Sequence, residues 1–234
     1  MPIIDRVHII DLGETEGQPA DALRIHPANE ASCEDLQAVF GTRGSGALCQ
    51  CQRYKLRPKE SFRSFPAEER ALRLREQTSC GQPQADTTSG LVAYLDGEPV
   101  GWCAVEPRSA YFGLARVYRV PWEGREEDKT DESVWAVTCV FVRAGFRRRS
   151  ISRALVRAAV DHARRHGARA LEGYPMLTQP GTLNTLDEIH VGSRSIFADA
   201  GLSEVSHPTP RRVVMRIDYT AGESAREPIP ENQR

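Results

Sequence analysis

The segment Val134-Trp135-Ala136-Val137-Thr138-Cys139-Val140-Phe141-Val142 constrains the fold more than any other. It is apolar except at Thr138 and rich in β-branched and aromatic residues, which reads as a central strand covered on both faces. A bilayer span needs about 20 such residues, so this run does not cross a membrane. Residues 150–166 read as an amphipathic helix. Its Ile151, Ala154, Leu155, Ala158 and Ala159 recur at i, i+3, i+4, i+7 and i+8. Arg164, Arg165 and His166 complement the dipole of its last turn, and Gly167 takes the C′ position. Residues 168–172 read as the next strand. Strand, helix and strand in this order form a βαβ unit, so the two strands are expected to be parallel.

The flanking sequence adds antiparallel strands and short helices. Leu91-Val92-Ala93-Tyr94-Leu95 and residues 98–105 flank Asp96-Gly97, the strongest short-range hairpin signal. Residues 22–27 and 48–56 read as strands, and 202–206 and 211–219 as two final strands. Residues 29–40 read as a helix with Asn29 or Ser32 as N-cap. The glycines of 41–46 suggest a flexible turn, and 66–77 a polar helix with Pro66 near its start. Residues 111–117 read as one or two helical turns, 121–133 as an acidic loop, and 191–200 as a short helix ending at Gly201. Residues 1–21 are weakly patterned and are expected to be an N-terminal extension. Residues 220–234, with Gly222, Pro228, Pro230 and many charges, are expected to be a disordered tail. That leaves 22–219 as a single domain.

Composition removes several function classes. The net charge of −1 gives no global electrostatic case for nucleic acid or an acidic membrane. Only three of the 31 basic residues are lysine (Lys55, Lys59, Lys129), a bias expected of a GC-rich genome, so local arginine clusters carry more meaning than the total. No basic region followed by an apolar core opens the chain, so the expected compartment is the cytoplasm. The six cysteines are then expected to be free thiols. None stands in Cys-x-x-Cys spacing, and no metal site is expected.

Chemistry is concentrated where the apolar strand runs into Arg143-Ala144-Gly145-Phe146-Arg147-Arg148-Arg149-Ser150 and opens the amphipathic helix. The first amides of a helix have no intrahelical partner, and its macrodipole is positive there. With Arg143, Arg147, Arg148, Arg149 and Arg153 around it, this turn is either a phosphate or pyrophosphate site or a solvated basic turn. Its position at the carboxyl end of a central strand favours the phosphate.

The run Arg147-Arg148-Arg149-Ser150-Ile151-Ser152 resembles the acetyl-CoA-binding motif of the GNAT superfamily, Arg/Gln-x-x-Gly-x-Gly/Ala. The order of helices, hairpin, central strand, long helix and parallel strand over about 22–219 is similar to that family. The resemblance implies a three-layer α/β fold. Its sheet would be mixed and mostly antiparallel, with six to seven strands and a central parallel pair formed by the family's fourth and fifth strands. It implies an acetyl-CoA cosubstrate whose pantetheine arm lies along Val140, Phe141 and Val142. The pyrophosphate would sit on Arg147, Arg148, Arg149, Ser150, Ile151, Ser152 and Arg153. It also implies N-acyl transfer by direct attack of an amine on the thioester, with backbone N–H groups of the central strand stabilising the oxyanion.

Two departures stand out. The usual glycines are Ser150 and Ser152, which cost little at negative φ and weaken binding if the turn needs positive φ. The tyrosine that many members place four residues before the glycine closing the last helix is Phe197, which has no proton to give. Glu188 and His190 are candidate acid–base groups, or loop residues that hold the start of that helix. Glu172 and Tyr174, at the end of the parallel strand, are either cleft groups or ordinary strand-end polar residues. Cys139 is read as a buried structural thiol in preference to a covalent acyl carrier. Cys49, Cys51 and Tyr54 fall in the family's variable acceptor region. The expected acceptor is the primary amine of a small molecule. A peptide or protein amine, or a CoA-binding regulatory module without turnover, are the rivals. No nucleic-acid or membrane partner is expected, and a homodimer is open by resemblance.

Overall fold

The computed structural model describes residues 8–10, 22–116, 120–177 and 190–220. Among them, strands β1 (His8–Ile10), β2 (Leu23–Pro27), β3 (Gly90–Leu95), β4 (Glu98–Pro107), β5 (Val134–Val142), β6 (Ala170–Gly173), β7 (Ser203–Thr209) and β8 (Arg212–Asp218) form one sheet. Their order is β1-β2-β3-β4-β5-β6-β8-β7. β5 and β6 are parallel, and the other neighbours are antiparallel. The expected mixed sheet with a parallel central pair is therefore present. β1 extends it at the edge, from a stretch whose sequence carries no strand pattern. The helices are α1 (Cys33–Phe40), α2 (Gly44–Cys49), α3 (Ala67–Thr78), α4 (Phe112–Arg116), α5 (Ile151–Arg165) and α6 (Arg194–Ala198). Among the described residues no helix is long and apolar enough to cross a membrane.

Strand alternation sorts the core into two faces. Leu91, Cys103, Val137 and Val140 meet Leu155 and Ala159 of α5 and Ile196 and Phe197 of α6. On the opposite face Val92, Trp102, Ala104 and Cys139 meet Leu36, Val39 and Phe40 of α1. Beside them Tyr54, Tyr111, Leu114 and Trp122 cover Ala136, Tyr174 and Val214.

Local chemistry sets the boundaries. The β3–β4 turn places Asp96 at φ 53° and Gly97 at φ 82°, the two positive values that a right-twisted hairpin favours. Ser32 caps α1, its Oγ accepting from the Asp35 N–H at 3.0 Å. α5 ends at Gly167, φ 74°. The Gly167 N–H donates to the Arg164 carbonyl and the Ala168 N–H to the Ala163 carbonyl, both at 3.0 Å, which is a Schellman closure.

One buried residue of α5 makes stability depend on pH. His162 is 1% exposed and packs on the His166 and Trp135 rings. Burial, with His166 and Arg165 adding to it, pulls its pKa down to about 3. The unfolded chain binds a proton near pH 6.5 and the folded chain does not, so stability falls as pH drops below that value. Between pH 7 and pH 5 this residue alone is expected to remove about 2 kcal/mol. Urea titrations of the parent and of His162→Gln measure it. The substitution should flatten the acid limb, and an unchanged slope would refute the assignment.

Three expectations need correction. Residues 41–46 are not a turn throughout, because Gly44 opens the helix α2. Residues 48–56 do not form a strand. Helix α2 runs to Cys49, and Gln50 and Cys51 follow in the left-handed region at φ 47° and 54°, which an extended strand cannot contain. The six thiols are not all free. Cys33 and Cys80 form a disulfide that ties the start of α1 to the turn after α3, and Cys49, Cys51, Cys103 and Cys139 remain as thiols.

Candidate functional site

The site begins where β5 leaves β6. The two strands pair from Val134↔Ala170 to Val137↔Gly173, where β6 ends. On its other side β5 pairs with β4 through Ala104↔Cys139 and then Val105↔Val137, so Thr138 is an extra residue. This bulge bends the strand as the parallel pairing stops. Beyond it, one edge of β5 faces a cleft of about 870 Å³. The Val140 N–H points to that edge and donates to the His190 carbonyl at 2.6 Å. By the period of the strand, the Val142 N–H points the same way.

The basic turn closes one end of the cleft. Arg143 fixes the strand end, its Nη1 donating to the Glu98 carboxylate at 2.8 Å and to the Pro99 carbonyl at 2.7 Å. Arg147 and Arg148 are exposed and line the cleft with Ser150, Ile151, Ser152 and Arg153. Arg153 is ion-paired to Asp199. Arg149 is not in the lining; its guanidinium lies over the Phe146 ring at 5.8 Å. Val140, Phe141 and Val142 do line the cleft.

The two serines are not equivalent. Ser150 stands at φ 58°, ψ 8°, as the N-cap of α5, and makes no side-chain capping bond. This is the left-handed region, where a Cβ costs energy that glycine avoids. Arg148, at φ 64°, is left-handed as well. Ser152 lies in the first turn of α5, where its Cβ is unstrained.

The opposite wall comes from α1, α2 and the chain between α2 and α3. Phe40, Gly46, Leu48, Cys49, Cys51 and Arg53 line it, with Phe62 and Arg70. A Cβ on Gly46 would stand 2.8 Å from Cζ of Phe141, so glycine lets α2 close on β5. Arg70, 4% exposed, holds this wall together. It donates to the carbonyls of Leu48 at 2.8 Å and Phe62 at 3.1 Å, and also to Phe65. Sequence reasoning missed Phe40, Phe62 and Arg70. The signal for α2 was the Gly44-Ser45-Gly46 run itself, which serves close approach as well as turning.

The acid–base candidates separate. His190 lines the cleft, its ring centroid 6.4 Å from that of Tyr54. Glu188 lies outside the described residues. Glu172 and Tyr174 do not line the cleft. Glu172 is fully buried among Arg108 at 3.2 Å, Arg216 at 2.9 Å and Arg125, and it accepts from the Tyr174 hydroxyl at 2.8 Å. Burial, then the neighbouring Glu172 charge and that bond, push the Tyr174 phenol well above its ordinary range. Glu127, bonded to the same three arginines, completes a cluster that joins β6 and β8 to the chain around Trp122. Phe197 is 0% exposed and wedged against Gly173 and Gly192, where a Cβ would meet its ring at 2.3 and 2.8 Å. It fills the core and does not face the cleft. Among the described residues no group of His, Cys, Asp or Glu is arranged to hold a metal ion.

Three thiols line the cleft where the two walls meet: Cys49, Cys51 and Cys139. The Cys51 Sγ accepts from the Trp102 indole N–H at 3.2 Å. A hydrogen bond from the Cys139 thiol, with Trp102 and the charge of Lys55 adding to it, holds the Cys51 pKa below its ordinary value despite burial. That same bond and burial push Cys139 up, and burial pushes Cys49 up.

A family model described as Acetyltransferase (GNAT) family matches residues 54–177. Among solved structures, the chain is similar to the PaiA N-acetyltransferase from Thermoplasma acidophilum in complex with coenzyme A. The identity is 12% over 84% of this chain and 99% of that one, with a TM-score of 0.46. The GNAT domain of S. lividans PAT matches at 16% identity over 86% and 92%, with a TM-score of 0.46. The ribosomal-protein-alanine N-acetyltransferase from Brucella melitensis matches at 15% identity over 83% and 99%, also with a TM-score of 0.46. No curated protein matches.

Proposed function

This chain belongs to the GNAT acetyltransferase family, and on that premise we propose that it moves an acetyl group from acetyl-CoA to a primary amine of a small molecule. The observation that carries this reading is the continuity of one cleft. It runs from the left-handed arginine turn, along the edge of β5 beyond its pairing with β6, to the wall formed by α2 and the chain after it.

In this reading the first amides of α5 and the side chains of Arg147, Arg148 and Arg153 receive the pyrophosphate. The pantetheine arm runs along the edge of Val140, Phe141 and Val142 and hydrogen-bonds the backbone of Val140 and Val142, the two that face the cleft, as a further strand would. The thioester carbonyl takes the Val140 N–H from the His190 carbonyl, and this donor stabilises the oxyanion as the amine attacks. The tetrahedral adduct then collapses, the C–S bond breaks, and CoA leaves as its thiolate. A thiolate leaves readily, so the lack of a phenol at Phe197 does not block the reaction. In this reading His190, which lines the cleft, takes the ammonium proton, directly or through water.

Calorimetric titration of the chain with acetyl-CoA and with free CoA tests the first half. Micromolar binding of both is expected, with the adenosine diphosphate moiety supplying much of the affinity. A thiol-release assay over small amines and peptides with free N-termini tests the second half. Turnover with small amines is expected. Turnover with peptides alone would replace the acceptor class, and binding without any turnover would leave a CoA-binding module.

A further inference from the structure

Cys51 has no part in direct transfer, yet its setting is costly to build. Gln50 and Cys51 are consecutive non-glycine residues in the left-handed region, each an unfavourable conformation that the surrounding structure must enforce. Together they turn the chain so that Cys51, half-buried, reaches the cleft lining under Trp102. Trp102 is 0% exposed, and its indole N–H is directed at the Cys51 sulfur. A buried indole N–H finds an acceptor, and a sulfur is a weak one unless it carries negative charge. The Cys139 thiol, on the strand that borders the thioester in the proposed function, also lines the cleft, and its interaction with Cys51 lowers the Cys51 pKa. Lys55 stands on one side, and its charge is offset by its partner Glu106. Cys103, from β4, adds a neutral thiol, raised by burial. A buried indole N–H aimed at a sulfur that lines an acyl-donor cleft suits that sulfur to act as a nucleophile.

We propose that Cys51 is an acyl-accepting thiol. Its sulfur attacks the carbonyl carbon of bound acetyl-CoA, and the new C–S bond replaces the one to CoA. The acetyl group then rests on Cys51 as a thioester, and the proton of the Cys51 thiol leaves with the coenzyme as its thiol. One thioester replaces another, so the group remains available to an amine. The inference rests on the proposed acetyl-CoA site, and the experiment separates the two.

The chain is incubated with acetyl-CoA in the absence of amine, and the acetylated peptide is identified by mass spectrometry before and after neutral hydroxylamine, which cleaves thioesters and spares amides. One acetyl group on Cys51, removed by hydroxylamine, is expected. Cys51→Ser should lose it, and Trp102→Phe, which keeps a ring and removes the donor, should form it roughly tenfold more slowly. If Cys51→Ser does not fold, peptide mapping of the unaltered chain still decides the matter. Calorimetric binding of acetyl-CoA with no acetyl on Cys51, or with acetyl only on Cys49 or Cys139, overturns this inference and leaves the proposed function standing. Failure of acetyl-CoA to bind overturns both.

Discussion

Glu172→Ala is expected to cost about 4 kcal/mol of stability, close to 10 °C of melting temperature for a chain of this size. The size of the effect follows from what the carboxylate leaves behind. Arg108, Arg125 and Arg216 have side chains only 1%, 7% and 9% exposed, and all three bond to the fully buried Glu172. Burial pulls the Arg125 guanidinium down, and the bonds from Glu172 and Glu127 more than reverse this, leaving its pKa raised. Without Glu172, three cations share Glu127 and, at Arg216, Asp218. The Tyr174 hydroxyl also loses its acceptor. Removing one member of a buried charge cluster strands the others away from water, which is why the cost exceeds the net worth of any single pair. Glu127, whose side chain is 35% exposed, can be replaced by water, so Glu127→Gln should cost only about 1 kcal/mol. Thermal melts followed by circular dichroism measure both. If Glu172→Ala melts like the parent yet abolishes turnover, Glu172 belongs to the chemistry after all.

That cluster also marks the limit of what the sequence makes legible. The apolar run of β5, the Asp96-Gly97 turn and the amphipathic period of α5 are local signals, each decided within a dozen residues, and the structure carries all three. The arginine turn is legible for the same reason: a strand end, a basic run and a helix start are contiguous in the chain. Glu172 meets Arg108, Arg125 and Arg216 across 64, 47 and 44 positions, and nothing local distinguishes it from a strand-end carboxylate that faces the cleft. The wall made by α2 is hidden differently. Two glycines argue against a helix of six residues, and what sustains it is tertiary: Gly46 packed beneath Phe141, and Arg70 bonded to the carbonyl of Leu48. The Cys33–Cys80 pairing likewise needs the fold, because spacing alone does not select partners among six cysteines. Phe197 is legible as a departure from the family but not as a consequence. Its ring occupies space that Gly173 and Gly192 vacate, so it serves packing.

Ser150 offers the second large effect, and it is expected to move in opposite directions with two substitutions. At φ 58° the Cβ of Ser150 is strained, and its hydroxyl makes no capping bond to offset this. Ser150→Gly removes the strain, worth about 1 kcal/mol, and should raise the melting temperature by about 3 °C. The same change preserves the left-handed turn that exposes the first amides of α5, so acetyl-CoA should bind at least as tightly as to the parent. Ser150→Trp keeps every backbone donor and every arginine but sets an indole in the lining of the cleft where the pyrophosphate is expected. Acetyl-CoA affinity should then fall about 100-fold, near 2.7 kcal/mol, while the exposed position limits the loss of stability to about 1 kcal/mol. The contrast isolates blockage from unfolding, because the tight binder and the weak binder both fold. Paired calorimetry and melting curves on the two variants check it. If Ser150→Trp binds acetyl-CoA as the parent does, the pyrophosphate does not sit at this turn, and the arginines around it are a solvated surface.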